Sequence, residues 1–310
     1  MKTNKLKILH VHDYPPFEGG CIEIMVSNIS EEFVKKGCDV TIATSRFKSE
    51  TFGQKSEDET RNGVKGVLVN HMLNLQSLIG KSDVVNIHFT FSCRPATISA
   101  LEICNRIGKK CIVTIHTNYE HIPFSALATL NNFEINAKLY SLSKLISSDN
   151  VYLAGPAYDV KRSLGLLGVS KELKVIRNSV HLNKLSDVKF KIDKVDITYI
   201  GEVSFMKGIN YLIDAINIAR NKLLGIRVRI IGGGSDLSHI NLMIKFFKLE
   251  NNIEITGYVP HASIRNYLAS TKIYVHPSLT ETWANAVAEA LLMKIPVICT
   301  DVGGLYELID

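Results

Sequence analysis

The sequence predicts an α/β protein built from two doubly wound parallel-sheet domains in tandem, facing a central cleft. Three observations carry that expectation. Short β-branched runs alternate with helix-period segments along the chain, as a parallel sheet with helices on both faces requires. The alternation breaks once, at the polar, Lys/Asp-rich stretch HLNKLSDVKFKIDKVD (181–196), and then starts again. A length of 310 residues also exceeds what one hydrophobic core usually holds. The expected division is a domain over 1–182, a linker over 183–196 and a second domain over 197–310.

In the first domain the strands are read at LKILHVH (6–12), DVTIATS (39–45), VKGVLVN (64–70), DVVNIHF (83–89), KCIVTIHT (110–117), VYLAG (151–155) and LKVIRN (173–178). Between the first two, CIEIMVSNISEEFVKKG places Ile22, Ile24, Met25, Ile29 and Phe33 at helical spacing and ends on Gly37, which suits a helix C-cap. The second domain repeats the pattern. Its strands lie in ITYIGEV, RVRIIGGG, IEITGYV, KIYVHPS and PVICTDVGG, and its helices in GINYLIDAINIARNK, SHINLMIKFFKLE, SIRNYLAS and TETWANAVAEAL. Ligands of open sheets sit beyond the carboxyl ends of the strands, which directs attention to the loops that follow them.

Composition removes several function classes. With 46% hydrophobic and 21% charged residues and no apolar stretch near the ~18 residues that cross a bilayer, the chain reads as soluble and globular. The N-terminus, MKTNKLKILHVHDY, has a very short apolar run and no small-residue cleavage site. It therefore reads as a first strand, not a signal peptide, and the expected compartment is the cytoplasm. Of the net charge of +6, most belongs to residues 1–182, with 22 Lys/Arg against 17 Asp/Glu. A basic half suits nucleic acid, anionic lipid headgroups or a phosphorylated substrate. With no helix-turn-helix, zinc pattern or aromatic-interleaved basic strand, nucleic acid is not expected. Cys21, Cys38, Cys93, Cys104, Cys111 and Cys299 show no metal-ligand spacing and read as buried free thiols.

The loops after the strands hold the unusual residues. In DYPPFEGG, Gly19 and Gly20 let backbone N–H groups approach an anion at a helix N-terminus, or simply make a tight turn. The run in RIIGGGSD lacks the spacing of a dinucleotide fingerprint. His116 ends an apolar strand in TIHTNY, either at the cleft or as a capping residue of the core. His10 and His12 share one face of the first strand and read as cleft-lining or packed rings in preference to metal ligands. SEDET (56–60) reads as a solvated acidic loop. Lys207 follows the first strand of the second domain, where a lysine reaches a phosphate or merely solvent. In HPSLTETWANAVAEAL a loop carries Glu281, the helix opens near Trp283 to Asn285, and Glu289 follows two turns along the Ala-rich face. Free N–H groups and a positive dipole end then meet a ligand's phosphates, with one acid for sugar hydroxyls and one for a ribose diol.

PSLTETWANAVAEALLMKIPVICTDVGGLYELI resembles the E-x7-E segment of retaining GT-B glycosyltransferases of family 4, the glycosyl transferases group 1. HVHDYPPFEGG, DVVNIHF, TIHT, VIRNSV and GEVSFMKG extend the resemblance, in order, through nearly the whole chain. It implies a GT-B fold and transfer of a sugar from a nucleotide-diphosphate donor to a saccharide or lipid-linked saccharide acceptor. Catalytic roles are implied for His116 and Glu281, which touch the donor sugar, and for Lys207, which neutralises the leaving diphosphate. The donor site would comprise Gly19, Gly20, Lys207, Thr282, Trp283, Ala284, Asn285 and Ala286 around the diphosphate, and Glu289 on the ribose. The family is metal-independent, so no metal and no cofactor beyond the donor is expected. The setting it implies is polysaccharide or lipopolysaccharide synthesis, and the basic, apolar-interleaved stretch FSALATLNNFEINAKLYSLSKLI suits either peripheral contact at the inner face of the cytoplasmic membrane or simple packing.

Three departures accompany the resemblance. Glu202 follows Gly201 where the family has arginine, and a carboxylate there repels a diphosphate unless it points away. Thr282-Trp283-Ala284 replaces glycine-aromatic-glycine. The chain stops at Asp310, where the family continues with a strand and helices. The second expectation is accordingly a truncated, weakly active or inactive member that binds nucleotide or a partner.

Overall fold

Short apolar runs buried along most of their length form two sheets, parallel except for one edge strand. In the computed structural model residues 5–13, 21–45, 58–69, 72–90, 95–117, 140–178, 180 and 195–309 are described. They fall into two units, Met1–Asn178 and Ser179–Asp310. Of the expected linker only Val195 and Asp196 are described, and both already belong to a strand.

The first unit runs β1 (Lys7–His12), α1 (Cys21–Lys35), β2 (Asp39–Ser45), β3 (Glu59–Arg61), β4 (Val64–Val69), α2 (Met72–Lys81), β5 (Val84–Phe89), α3 (Pro95–Arg106), β6 (Cys111–Ile115), β7 (Val151–Gly155), α4 (Asp159–Leu166) and β8 (Leu173–Val175). Its strand order is β3-β4-β2-β1-β5-β6-β7-β8. Helix α1 ends as its sequence suggests: Cys38 N–H reaches the Phe33 carbonyl at 3.0 Å and Gly37 N–H that of Val34 at 2.9 Å, a Schellman closure. Leu9, Val11, Val85, Ile87, Phe89, Val113 and Ile115 are buried between the helix layers. One element departs from expectation. Glu59 to Arg61, read as loop, pair antiparallel with Val64 to Gly66 across an Asn62-Gly63 turn with positive φ at both residues. Asn-Gly is a residue pair that a two-residue hairpin favours, and it draws Glu59 and Thr60, the end of the acidic run, into an exposed edge strand.

The second unit runs β9 (Val195–Ile200), a 3-10 turn (Phe205–Lys207), α5 (Ile209–Ala219), β10 (Val228–Ile231), α6 (Leu237–Phe246), β11 (Ile253–Gly257), α7 (His261–Ala269), β12 (Thr271–His276), α8 (Asn285–Leu292), β13 (Val297–Cys299) and a second 3-10 turn (Gly303–Glu307). Its order, β11-β10-β9-β12-β13, is entirely parallel. The chain steps outward from β9 through β10 to β11, then returns to β12 on the other side of β9. The switch point, where doubly wound sheets bind ligands, thus lies between the carboxyl ends of β9 and β12.

Glycines let the loops at that point touch. A Cβ at Gly232 would sit 1.9 Å from the Gly201 carbonyl oxygen, and one at Gly234 2.4 Å from that of Val203. The triple glycine is therefore a packing surface for the loop after β9. Gly208, at φ +66°, would place a Cβ 2.0 Å from the Pro277 carbonyl oxygen. Gly208→Ala is expected to cost about 2–4 kcal/mol, from the left-handed backbone and from backbone overlap together. Urea unfolding of the two proteins measures it, and a loss under about 1 kcal/mol would contradict the packing described.

Candidate functional site

The loops leaving β9 and β12 are joined backbone to backbone. Leu279 N–H donates to the Met206 carbonyl at 2.8 Å, and the Ser278 hydroxyl to the same oxygen at 3.2 Å. That junction holds Lys207 against Glu281, with Nζ 2.8 Å from each carboxylate oxygen. Glu281 is buried. Burial opposes its ionisation, yet the Lys207 charge and hydrogen bonds from His276 and Lys207 outweigh that and hold its carboxyl well below the ordinary range.

His276, the last residue of β12, supplies the other support. Its Nε2 lies 3.1 Å from Glu281 Oε1 and its Nδ1 3.2 Å from the Tyr274 hydroxyl. An ionised carboxylate only accepts, so His276 donates to it from Nε2. Burial pushes the Tyr274 hydroxyl well above its usual range, so it keeps its proton, which it donates to the Ile200 carbonyl at 3.1 Å. Glu281 is thereby fixed from both sides.

Helix α8 begins at Asn285, within the expected opening from Trp283 to Asn285, with Ala284 as N-cap in extended backbone and no side-chain hydrogen bond from that cap. This is the end at which Glu281, Thr282 and Trp283 arrive. Thr282 and Ala284 are buried, Trp283, Asn285 and Ala286 partly so. Trp283 Nε1 is enclosed with no acceptor among the described residues. Glu289 is buried one turn further, and its Oε1 meets His261 Nε2, from the start of α7, at 2.9 Å. Glu202 stays exposed, and among the described residues its carboxylate makes no ion pair; Lys207 pairs with Glu281 instead.

In the first unit the described carboxyl ends carry histidines. His10 and His12 lie on β1, His88 on β5 and His116 just after β6; all are buried. His116 Nε2 meets His88 Nδ1 at 3.0 Å. Gly19 and Gly20 lie outside the described residues. Asp13 caps α3: Oδ1 accepts from Ala96 N–H at 2.9 Å and Oδ2 from the Thr97 hydroxyl at 2.6 Å. Among the described residues no three His, Cys, Asp or Glu converge as metal ligands. No described helix is long and apolar enough to cross a membrane. Cys38, Cys104, Cys111 and Cys299 are free thiols.

Sequence reasoning thus singled out Lys207, Glu281 and Glu289 but not the side chains that hold the acids, His276 and His261. The signal for His276 was present in YVHPS, a histidine at a strand's carboxyl end five residues before an acid. His261 carried none, since its partner is 28 residues away.

The family model for glycosyl transferases group 1 matches residues 183–310. The chain is 28% identical over 238 residues to a phosphatidylinositol N-acetylglucosaminyltransferase subunit of Arabidopsis thaliana, a match that takes in 74% of this chain but spans only about half, 49%, of that relative's length. Sucrose-phosphate synthase from Thermosynechococcus elongatus superposes with a TM-score of 0.78 at 15% identity, over 99% of this chain and 84% of its own. Anabaena HepE in complex with UDP and glucose superposes with a TM-score of 0.72 at 16% identity, over 98% and 83%. The chain shares the GT-B fold of these structures, and its residues 183–310 are those that match the group 1 glycosyl transferases.

Proposed function

We propose that the chain is a retaining, metal-independent glycosyltransferase of family 4 that moves a sugar from a nucleotide-diphosphate donor to a saccharide or lipid-linked saccharide. The Lys207–Glu281 pair, held at the switch point beside the start of α8, is the observation that carries this reading. Lys207 and the leading N–H groups of Asn285 and Ala286 take the diphosphate, and Glu289 takes the ribose. Glu281 contacts the sugar, and His116 is assigned to the donor sugar on the family resemblance. As the bond from the anomeric carbon to the phosphate oxygen breaks, its electron pair stays on the phosphate. The acceptor hydroxyl oxygen bonds to the carbon on the same face and passes its proton to that phosphate. Fixed positive charge beside the leaving group supplies what a divalent ion supplies elsewhere. Glu202, being exposed, is screened by solvent and does not oppose this.

Support for a uridine nucleotide comes from the likeness to HepE bound to UDP and glucose, and for a lipid-linked acceptor from the phosphatidylinositol transferase relative. The setting proposed is cell-surface polysaccharide or lipopolysaccharide assembly at the cytoplasmic face of the membrane. Thermal unfolding against UDP-, GDP- and ADP-sugars tests the donor. A ligand at about 100 times its dissociation constant stabilises the folded state by about 2.7 kcal/mol. One nucleotide class is expected to raise Tm, and Glu289→Ala to abolish the rise. No rise with any donor would refute the reading.

A further inference from the structure

The buried histidines of the first unit form a line. His10 Nδ1 lies 2.9 Å from His88 Nε2, and His88 Nδ1 lies 3.0 Å from His116 Nε2. Ring centroids stand 5.1 and 5.2 Å apart with planes tilted by 34° and 20°, so the rings meet edge to edge through their nitrogens and are not stacked face on face. Burial pushes His10 and His116 down to about 4 and His88 well below its ordinary value, so at neutral pH each ring holds one proton. His12, on the same face of β1, is a further buried neutral ring.

A neutral ring with both nitrogens engaged donates from one and accepts at the other. His88 is such a ring, so its two hydrogen bonds reverse together or not at all. If the chain ran inward, from His116 Nε2–H through His88 to His10, the last proton would lie on His10 Nε2. That atom is buried and has no partner among the described residues. An enclosed N–H without an acceptor is rare and costly. Running outward, His10 Nδ1–H donates to His88 Nε2, His88 Nδ1–H donates to His116 Nε2, and the surplus proton emerges on His116 Nδ1.

We propose that His10 and His88 are positioning residues that fix His116 as its Nδ1–H tautomer and so make its ring a hydrogen-bond donor to an oxygen of the sugar, a role that rests on the donor reading given above. The line has a direction because a proton on His10 Nε2 would be enclosed without an acceptor among the described residues, whereas His116 Nδ1 is not an enclosed, unpartnered atom. His116 has its Nε2 occupied by His88, so Nδ1 is the atom it offers to a ligand.

Nitrogen-15 NMR of the full chain with labelled histidines, at pH 7.5, reads the tautomers directly. His116 is expected to show a protonated Nδ1 and a bare Nε2. In His88→Leu that pattern is expected to be lost. In His88→Asn, whose amide N–H replaces the Nδ1–H donor, it is expected to persist. UDP-glucose and UDP-N-acetylglucosamine are the binding probes, with UDP as reference. His88→Leu is expected to weaken whichever UDP-sugar binds by about tenfold, the scale of one hydrogen bond, and to leave UDP unchanged, with His88→Asn restoring the sugar term. A protonated Nε2 on His116 in the parent protein, or a tautomer unaltered in His88→Leu, would overturn the relay. If His88→Leu does not fold, loss of the Nδ1–H signal in His88→Asn overturns it equally. A switched tautomer with unchanged UDP-sugar affinity would overturn its link to the ligand. Failure of UDP itself to bind the parent protein falls on the donor reading, and the tautomer result stands apart from it.

Discussion

Lys207→Ala is expected to destabilise the second unit by about 3 kcal/mol and to lower the transfer rate by about 10²–10³-fold. The first figure follows from leaving a buried carboxylate without its cation, which costs roughly 3–5 kcal/mol when the pair is fully enclosed. The lower end applies because the Lys207 side chain is 21% exposed and because His276 remains to donate to Glu281. The second figure is the scale on which removing one fixed positive group from a developing anion slows a reaction. Glu281→Gln separates the two effects. It leaves Lys207 charged with some access to solvent and should cost less stability than Lys207→Ala. Urea unfolding of both variants, alongside transfer assays with the donor that raises Tm, provides the check. Equal stability of Lys207→Ala and the parent would mean the pair adds nothing to the fold.

Acidification is expected to loosen the first unit before the second. His10, His12 and His116 sit near 4, 3 and 4 when folded, against 6.5 in an unfolded chain. Between those values the unfolded chain binds more protons, so folded stability is complete above about pH 6.5 and falls as pH drops toward 4. At about 1.4 kcal/mol per pKa unit, each ring withdraws on the order of 2–3 kcal/mol across that window. Glu281 acts later: its carboxyl is lowered, so its contribution persists until pH falls below the ordinary carboxylate range near 4.5. Hydrogen exchange at pH 7 and pH 5 distinguishes the units. Protection in β1, β5 and β6 is expected to drop while that in β9 and β12 holds. Equal loss in both units would show that the histidines do not govern acid sensitivity.

The sheets were legible because a buried parallel strand leaves a continuous β-branched run, and VVNIHF or KIYVH needs no partner to be recognised. The short β3 was not, since ETR has no apolar side and is made a strand only by the Asn62-Gly63 turn and by β4. Lys207 and Glu281 were legible as loop residues after strands. That they form an ion pair was not, because the pairing depends on a glycine contact, Gly208 against Pro277, and on a backbone bond from Leu279 to Met206. Likewise the sequence displays His10, His12, His88 and His116 as scattered residues. Only the register of β1 beside β5 and β5 beside β6 lines three of them up.

The stitching of the two loops also sets when the site comes into being. Lys207 and Glu281 are 74 residues apart in the chain, and β12 closes on β9 only after β10, β11 and their helices have been made. Such long-range closure is slow relative to local structure. On a ribosome, the first unit's histidine line is complete once residues through β6 have emerged, whereas the acid and its lysine stay strangers until synthesis has passed residue 281. A nascent chain would therefore form the Lys207–Glu281 pair only after the strands of the first unit's histidine line have been made.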